Sequence, residues 1–360
     1  MKICILGGGL TSLVLARSLS SCISKIDIII KKHKKSTNTL RTIGISDKNV
    51  EFLLKLFPEI LSIGNGIKKI EIINDNNENI LNFGNNRKSL FFMFKNEDLF
   101  KMVKKTVDSN ENIKIKSTKQ LPSYHDLKKH NYDLIIDTNL DSDSSNKYFY
   151  KKINKDYFGS AYINIIKHKK IKNNVARQTF TKFGPLAFLP ISPDLTSIVY
   201  SINNNEDKFV KQIELEKLVK SYNNFYEILS FKNFEKFNLK FSLLKEYYQE
   251  NILAFGDKLH KIHPLAGQGF NMIIRDIKLL TEIFENKIKI GLYIDSSDLK
   301  EFQNKSRYKN VLFATGIDLI HEFFLIEKKI PKKISKKIFN LLDGNKNINN
   351  YFTNIANKGF

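Results

Sequence analysis

The chain opens on a short apolar run, "KICIL", followed by three glycines and then by Leu13, Leu15, Ala16 and Leu19, a spacing that suits a packed helix. A second apolar run, "IDIII", comes next. Apolar runs of this length that do not alternate predict strands buried on both faces, and strand, glycine turn, helix and strand in that order predict a βαβ unit. "YDLIID" at 132–137 and "NILAFGD" at 251–257 read as further strands of the same kind.

The pattern changes at 66–94, where "IKKIEIIN", a "DNNEN" turn, "ILNF" and "SLFFMF" predict antiparallel hairpin strands. They lie between a helix expected near 46–57 and another at about 96–108. Residues 158–202 and 236–245 are also strand-rich, with a helical stretch expected near 206–229. "FNMIIRDIKLLTEIF" has helical spacing, and the tail from 298 reads as helix. Together these elements predict an α/β fold. A Rossmann-like nucleotide-binding domain (1–65, 95–157 and 246–297) is interrupted by an antiparallel β-sheet substrate domain (66–94 and 158–245), and a helical C-terminal region covers 298–360.

Composition changes this picture little. At 360 residues and 42% hydrophobic content the chain can bury a large core. A net charge of +22, from 59 basic and 37 acidic side chains, points first to nucleic acid or anionic lipid. The lysines are dispersed, however, and accompany an enrichment in Asn and Ile of the kind AT-rich coding produces; with no nucleic-acid motif, the expectation is no nucleic-acid partner. Met1 leads at once into a strand and no apolar run reaches the roughly 18 residues of a membrane span, so the chain is expected to be cytoplasmic. Contact with the inner face of a membrane stays open, because "FFLIEKKIPKKISKKIFNLL" at 323–342 joins large apolar residues to paired lysines. A core-packed helix with a solvated lysine face is the competing reading. Cys4 and Cys22 lack CxxC or metal-type spacing and are expected to be ordinary thiols.

Two stretches carry chemistry. Gly7, Gly9 and Ser12 occupy the positions of a GxGxxG-type turn between strand and helix, where glycine lets the backbone approach a pyrophosphate and the helix N-terminus offers amide donors. Ser12 stands where a third glycine would allow close helix packing, and Lys31, followed by Lys32, stands where an acidic residue would accept ribose hydroxyls. The second stretch is "GDKLHKIHPLAGQGFN", 256–271. A metal site on Asp257, His260 and His263 would need further convergent ligands that are missing nearby, so none is expected. The two histidines could also cap a loop, with Gly267 and Gly269 serving turn geometry. A cofactor reading gives work to nearly every position. Asp257 would bind sugar-like hydroxyls and Pro264 would stiffen the turn. Gly267 and Gly269 would bring amides to a planar ring at a helix N-terminus.

"FGDKLHKIHPLAGQGFNMIIRDIKLL" resembles the GDAAH-x-x-HPLAGQGxN-x-x-x-x-D segment of the aromatic-ring flavin monooxygenases, in the branch that hydroxylates ubiquinone precursors. "QTFTKFGPLAFLPIS" at 178–192 is similar to its GPLA-x-LP strand pair, and "TLRTIGISDKNVEFLLKL" to its arginine-containing stretch before the first long helix. "LKEFQNKSRYKNVLFATGIDLIHEFF" and "NYFTNIANKGF" are similar to its C-terminal helix and ending, so the resemblance runs nearly end to end. It implies a para-hydroxybenzoate-hydroxylase-like fold with FAD. Gly7, Gly9, Ser12 and Arg41 would sit at the adenosine and pyrophosphate half, and Asp257, Pro264, Gly267, Gln268, Gly269 and Asn271 around the ribityl chain and ring. His260, His263 and Pro264 would be the candidates for positioning or proton transfer. The implied reaction is hydroxylation of a polyprenylated phenol in ubiquinone synthesis through a flavin C4a-hydroperoxide. Its partners would be O2, an electron donor (NAD(P)H or a redox protein) and other ubiquinone-synthesis proteins. The chain departs from the pattern in three places: Lys31, "DTNLDSDS" in place of an Asp-Gly pair after "YDLIID", and Lys258 and Leu259 in place of two alanines. Asp137, Asn139 or Asp141 is the expected substitute for the missing aspartate. The alternative function is a non-catalytic, diverged member of a quinone-synthesis assembly with weakened flavin binding.

Overall fold

The computed structural model describes residues 1–32, 40–84, 88–203, 212–262 and 269–327. The βαβ unit forms as β1 (Lys2–Leu6), α1 (Leu10–Leu19) and β2 (Lys25–Lys31). Then come β3 (Thr42–Ser46), α2 (Asp47–Leu56), β4 (Asn65–Ile67), β5 (Lys69–Ile73), β6 (Asn79–Phe83) and β7 (Phe91–Lys95). In α3 (Asn96–Asp108) the buried residues Leu99, Val103 and Val107 recur every fourth position and form one stripe. Glu97 and Asp98 in its first turn and Lys105 in its last complement the helix dipole.

Next along the chain are β8 (Ile113–Thr118), α4 (Tyr124–Lys128), opened by a Ser123–Asp126 capping box, β9 (Leu134–Asp137) and α5 (Asp143–Lys147). A strand-rich stretch holds β10 (Lys152–His168), β11 (Val175–Thr181), β12 (Gly184–Ser192) and β13 (Leu195–Asn203). It continues through α6 (Gln212–Ser221) to β14 (Ile228–Phe231) and β15 (Glu235–Leu244). The helix expected near 206–229 therefore ends at Ser221, earlier than expected; residues 204–211 lie outside the described residues. Asn223 stops it: its side-chain oxygen accepts from the backbone amides of Phe225 and Tyr226 and its amide donates to the Tyr226 carbonyl, turning 228–231 into the sheet. The chain ends through β16 (Tyr248–Gln249), β17 (Ile252–Ala254), β18 (His260–Lys261), α7 (Gly269–Lys289) and α8 (Ser296–Glu327).

Three sheets result. The first has the order β16-β17-β9-β1-β2-β8 and is parallel except for the β16–β17 pair. β1 is its pivot, because the chain leaves it towards β2 on one side and returns as β9 on the other, and ligands of such sheets bind at the carboxyl ends beside that switch. Its core is continuous from Ile3, Ile5, Ile28 and Ile135 to Leu13 and Leu15 of α1 and Ile274 and Ile277 of α7, all fully or almost fully buried. The second sheet, β18-β15-β10-β13-β12-β11-β5-β6 with β14 against β10, is antiparallel save for the parallel β5–β11 pair. Ile198, Tyr200 and Ile202 of β13 pack on Leu215 and Val219 of α6. By strand alternation Ser197, Val199 and Ser201 take the opposite face, and Thr42 at the start of β3 donates to Ser197 from that side at 2.8 Å. The third sheet, β3-β7-β4, lies between the other two in the chain's packing, with Met93 of β7 in contact with Ala176 of β11.

Both cysteines are free; Cys4 is fully buried and Cys22 partly so. No helix among the described residues is long and apolar enough to cross a membrane. The stretch 328–342, most of the predicted interfacial segment, lies outside the described residues.

Candidate functional site

The glycine loop between β1 and α1 lies at the carboxyl end of the pivot strand. Gly7 has φ +121°, open only to glycine without strain, and a Cβ there would overlap the Thr138 hydroxyl. That hydroxyl donates to the Leu6 carbonyl and meets the Ser12 hydroxyl at 2.8 Å. Ser12 is fully buried, so it takes the close-packing position expected of a third glycine. Gly9 differs from Gly7. Its φ of −79° and ψ of 173° suit any residue, and among the described residues no atom lies within 4 Å of where its Cβ would stand. As N-cap of α1, Gly9 offers no side-chain cap, and the first turn holds no acidic residue. The amide donors at this helix end therefore open on space.

From the other side, the turn 256–258 closes on the same helix. Gly256 has φ +69°, and a Cβ there would press on Thr11 Cγ2 at 2.8 Å. Asp257 next to it is exposed, while Lys258 and Leu259 turn inward and are buried. Burial pushes the Lys258 ammonium below the ordinary lysine range, and the Asp137 carboxylate beside it opposes that shift.

α7 reaches the same end of the molecule. Ser18 and Thr281 share a hydrogen bond at 2.8 Å and Ser21 donates to Glu285 at 2.7 Å, so residue numbers rise together along α1 and α7 and the helices run parallel. By this register Gly269 lies about four residues, or roughly 6 Å, beyond the start of α1. Among the described residues nothing lies within 4 Å of where a Gly269 Cβ would be, and the first turn of α7 carries no acidic residue. Two helix starts, that of α1 capped only by the bare Gly9 and that of α7 at Gly269, thus lie staggered along one direction.

The nominated residues sort as follows. Gly7, Gly9, Ser12 and Asp257 come together at the carboxyl ends of β1 and β17, and Gly269 opens α7. Arg41 is exposed just before β3, and its carbonyl accepts from the Asn96 amide at 3.0 Å. Asn271 is 1% exposed: its oxygen accepts from the Ser46 amide and Asn49 at 2.9 Å, and its nitrogen donates to the Gly44 carbonyl, tying α7 to β3 and α2. His260 is also buried, with Nε2 bonded to Asp276 Oδ2 at 2.8 Å, and Asn310 of α8 donates to both oxygens of that carboxylate. This triplet fixes β18 against α7 and α8. His263, Pro264, Gly267 and Gln268 lie outside the described residues. Their anchors on either side are described: Ile262 packs against Phe241 and Met272, and Gly269 starts α7.

Asp137 does not face the crevice as a substitute for the missing aspartate. It is fully buried and paired with Lys258, and it also accepts from Ser142, Ser144 and the Asn139 amide. Lys31 and Lys32 are exposed at the end of β2, where an acid would receive a ribose. The contributions of Thr138, Thr11 and Asp276 were not picked out from the sequence. For Thr138 the only signal was its place one residue past a buried parallel strand.

The residues present fit a dinucleotide at its pyrophosphate: the space over Gly9 is one a Cβ could fill, and no protein atom explains a glycine there. They fit its adenosine ribose less well, since the acid is replaced by lysine.

No family model matches the chain. Among curated proteins it is 28% identical over 190 residues to the ubiquinone biosynthesis monooxygenase COQ6 of Schizosaccharomyces pombe, a match covering 51% of this chain and 39% of that protein. It is 24% identical over 233 residues to the Caenorhabditis elegans protein of the same name, covering 53% and 51%. To the Escherichia coli 3-demethoxyubiquinol 3-hydroxylase it is 29% identical over 153 residues, covering 41% and 39%. The matches thus span about half the length of these relatives or less. In fold it superposes on a p-nitrophenol 4-monooxygenase of Pseudomonas putida with a TM-score of 0.75 and 11% identity, over 99% of this chain and 98% of that one. It also matches a probable FAD-dependent monooxygenase of Pseudomonas aeruginosa with a TM-score of 0.70 and 15% identity, over 90% and 97%. By sequence the chain is therefore a homologue of the ubiquinone-biosynthesis monooxygenases, and its fold is that of the FAD-dependent monooxygenases.

Proposed function

We propose that this chain is an FAD-dependent monooxygenase that hydroxylates the aromatic ring of a polyprenylated phenol on the way to ubiquinone. The observation that carries the reading is the contrast between Gly7 and Gly9 of the first turn. Gly7 is required by the protein's own backbone, whereas Gly9 is left bare over an uncapped helix end for no reason internal to the protein. The homologues named as hydroxylases favour this reading over the non-catalytic one.

In this proposal Gly9 and the first amides of α1 receive the pyrophosphate, and exposed Asp257 accepts hydroxyl groups of the sugar chain. Gly269 brings the α7 N-terminus to the ring, where its partial positive charge favours an added electron pair. When bound and reduced, the flavin supplies activation of dioxygen for transfer to an electron-rich ring. The His260–Asp276–Asn310 triplet holds β18 against α7 and α8, and that is the contribution proposed for His260. The substrate ring would rest on the sheet face opposite α6, where Ala161, Ala187, Val199 and Ser201 give a small, uncharged surface. Binding there fixes the ring and excludes water.

Titrating the purified protein with FAD tests the proposal. Flavin fluorescence should be quenched with saturation near one equivalent. Gly9→Glu, which places a carboxylate in the open space, should weaken binding by about a hundredfold or more through desolvation and like-charge repulsion while circular dichroism is unchanged. Unquenched flavin in the parent, or a Gly9→Glu protein that binds like the parent, contradicts it.

A further inference from the structure

Two departures from the resembling pattern look unrelated along the chain: no Asp-Gly pair follows β9, and a lysine replaces an alanine at 258. In the structure they are one object. Lys258 Nζ donates to Asp137, to Ser142 Oγ at 2.6 Å and to Ser144 Oγ at 3.0 Å, so all three ammonium protons have acceptors. The carboxylate of Asp137 also accepts from both serines and from the Asn139 amide, and the lysine is 3% and the aspartate 0% exposed.

We infer that Lys258 is a positioning residue for the dinucleotide crevice, acting with Asp137 as a buried ionic lock between the two loops that grip α1. Asp137 ends β9 in register with Leu6, and its neighbour Thr138 braces Gly7 and Ser12. Lys258 ends the turn whose Gly256 leaves no room for a Cβ beside Thr11 and whose Asp257 faces solvent. A shift of either loop moves the glycine turn relative to Asp257, the two groups that must meet one ligand at a fixed separation. The lock also explains why the 138–145 loop keeps its course without the Asp-Gly pair. Asp137 draws it inward through the Asn139 amide, Ser142 and Ser144, and the lysine neutralises the charge.

The inference rests on the flavin reading for its ligand, and a double-mutant cycle separates the two. Lys258→Met, Asp137→Asn and the paired change Asp137→Asn/Lys258→Met are compared with the parent for FAD dissociation constant, thermal midpoint and, without cofactor, amide hydrogen exchange. Each single change should raise the FAD dissociation constant about tenfold, and the pair should recover most of that loss. Exchange at 138–145 and 256–259 should rise together in Lys258→Met. Thermal midpoints that couple while FAD affinity stays within about twofold of the parent would reduce the pair to a structural brace and overturn the inference. A parent that binds no FAD defeats the flavin reading alone. Exchange then decides the lock: protection lost in both loops at once supports it, and loss confined to 256–259 refutes it.

Discussion

Gly7 and Gly9 of the first turn carry different physical demands, and substitution separates them. Gly7→Ala forces a Cβ into the Thr138 hydroxyl at φ +121°, and should lower stability by about 1–3 kcal/mol in cofactor-free protein measured by denaturant unfolding. Gly9→Ala should change stability by no more than about 0.5 kcal/mol, because its backbone angles are ordinary and the space is open. Breaking the Asp137–Lys258 pair belongs to the same scale. Lys258→Met strands a buried carboxylate and should cost roughly 3–5 kcal/mol, whereas the paired neutral change should cost much less. At this scale the sequence was informative wherever a residue's chemistry is exposed by its neighbours in the chain, as with Gly9 or Asp257. It was silent where the partner lies far off. The link from 137 to 258 spans more than a hundred residues, and only the adjacency of β9 and β17 in the sheet makes it.

Elements place these residues through register. The parallel course of α1 and α7 brings the starts of both helices to the same end of the molecule, near the carboxyl ends of β1 and β9. β2 holds its own register with a buried carboxylate. Burial alone would raise Asp27, but the Lys116 ammonium and Tyr132 hydroxyl, each at 2.7 Å, overcome it and hold the group below the usual range. Since the folded-state value is lowered, its stabilisation is present above the ordinary aspartate value and disappears as pH falls through the folded one. Asp27→Asn should therefore cost about 1 kcal/mol at neutral pH, and the gap to the parent should narrow as pH falls below the ordinary aspartate range. Urea unfolding across this pH range checks this, and a gap that is constant with pH contradicts it. Most elements were readable because apolar period distinguishes buried strand from packed helix. α6 was overestimated because Phe225, Tyr226 and Ile228 continue a helical apolar spacing that a single Asn223 turn interrupts. The parallel β5–β11 pairing was unreadable, since strand polarity in a sheet depends on chain return rather than on local pattern.

For the whole molecule, the open crevice implies linkage between flavin and folding. A cofactor that binds only the folded chain should stabilise it by about 2.7 kcal/mol at a hundredfold excess over its dissociation constant, seen as a concentration-dependent rise in melting temperature. A melting temperature indifferent to FAD would leave the crevice without its ligand. The fold class was legible from the order of elements and the 256–271 segment, and homology agrees with it. The packing of Thr138 against Gly7 and Ser12 was not, because it depends on which strands neighbour in the sheet. A single turnover under isotopically labelled dioxygen bears on the central proposal most directly. FAD-loaded protein, photoreduced and mixed with a polyprenyl phenol, is followed by mass spectrometry of the product. The account predicts one labelled oxygen on the aromatic ring. A product that carries oxygen from water, or a ring left unhydroxylated while the reduced flavin reoxidises, would contradict it.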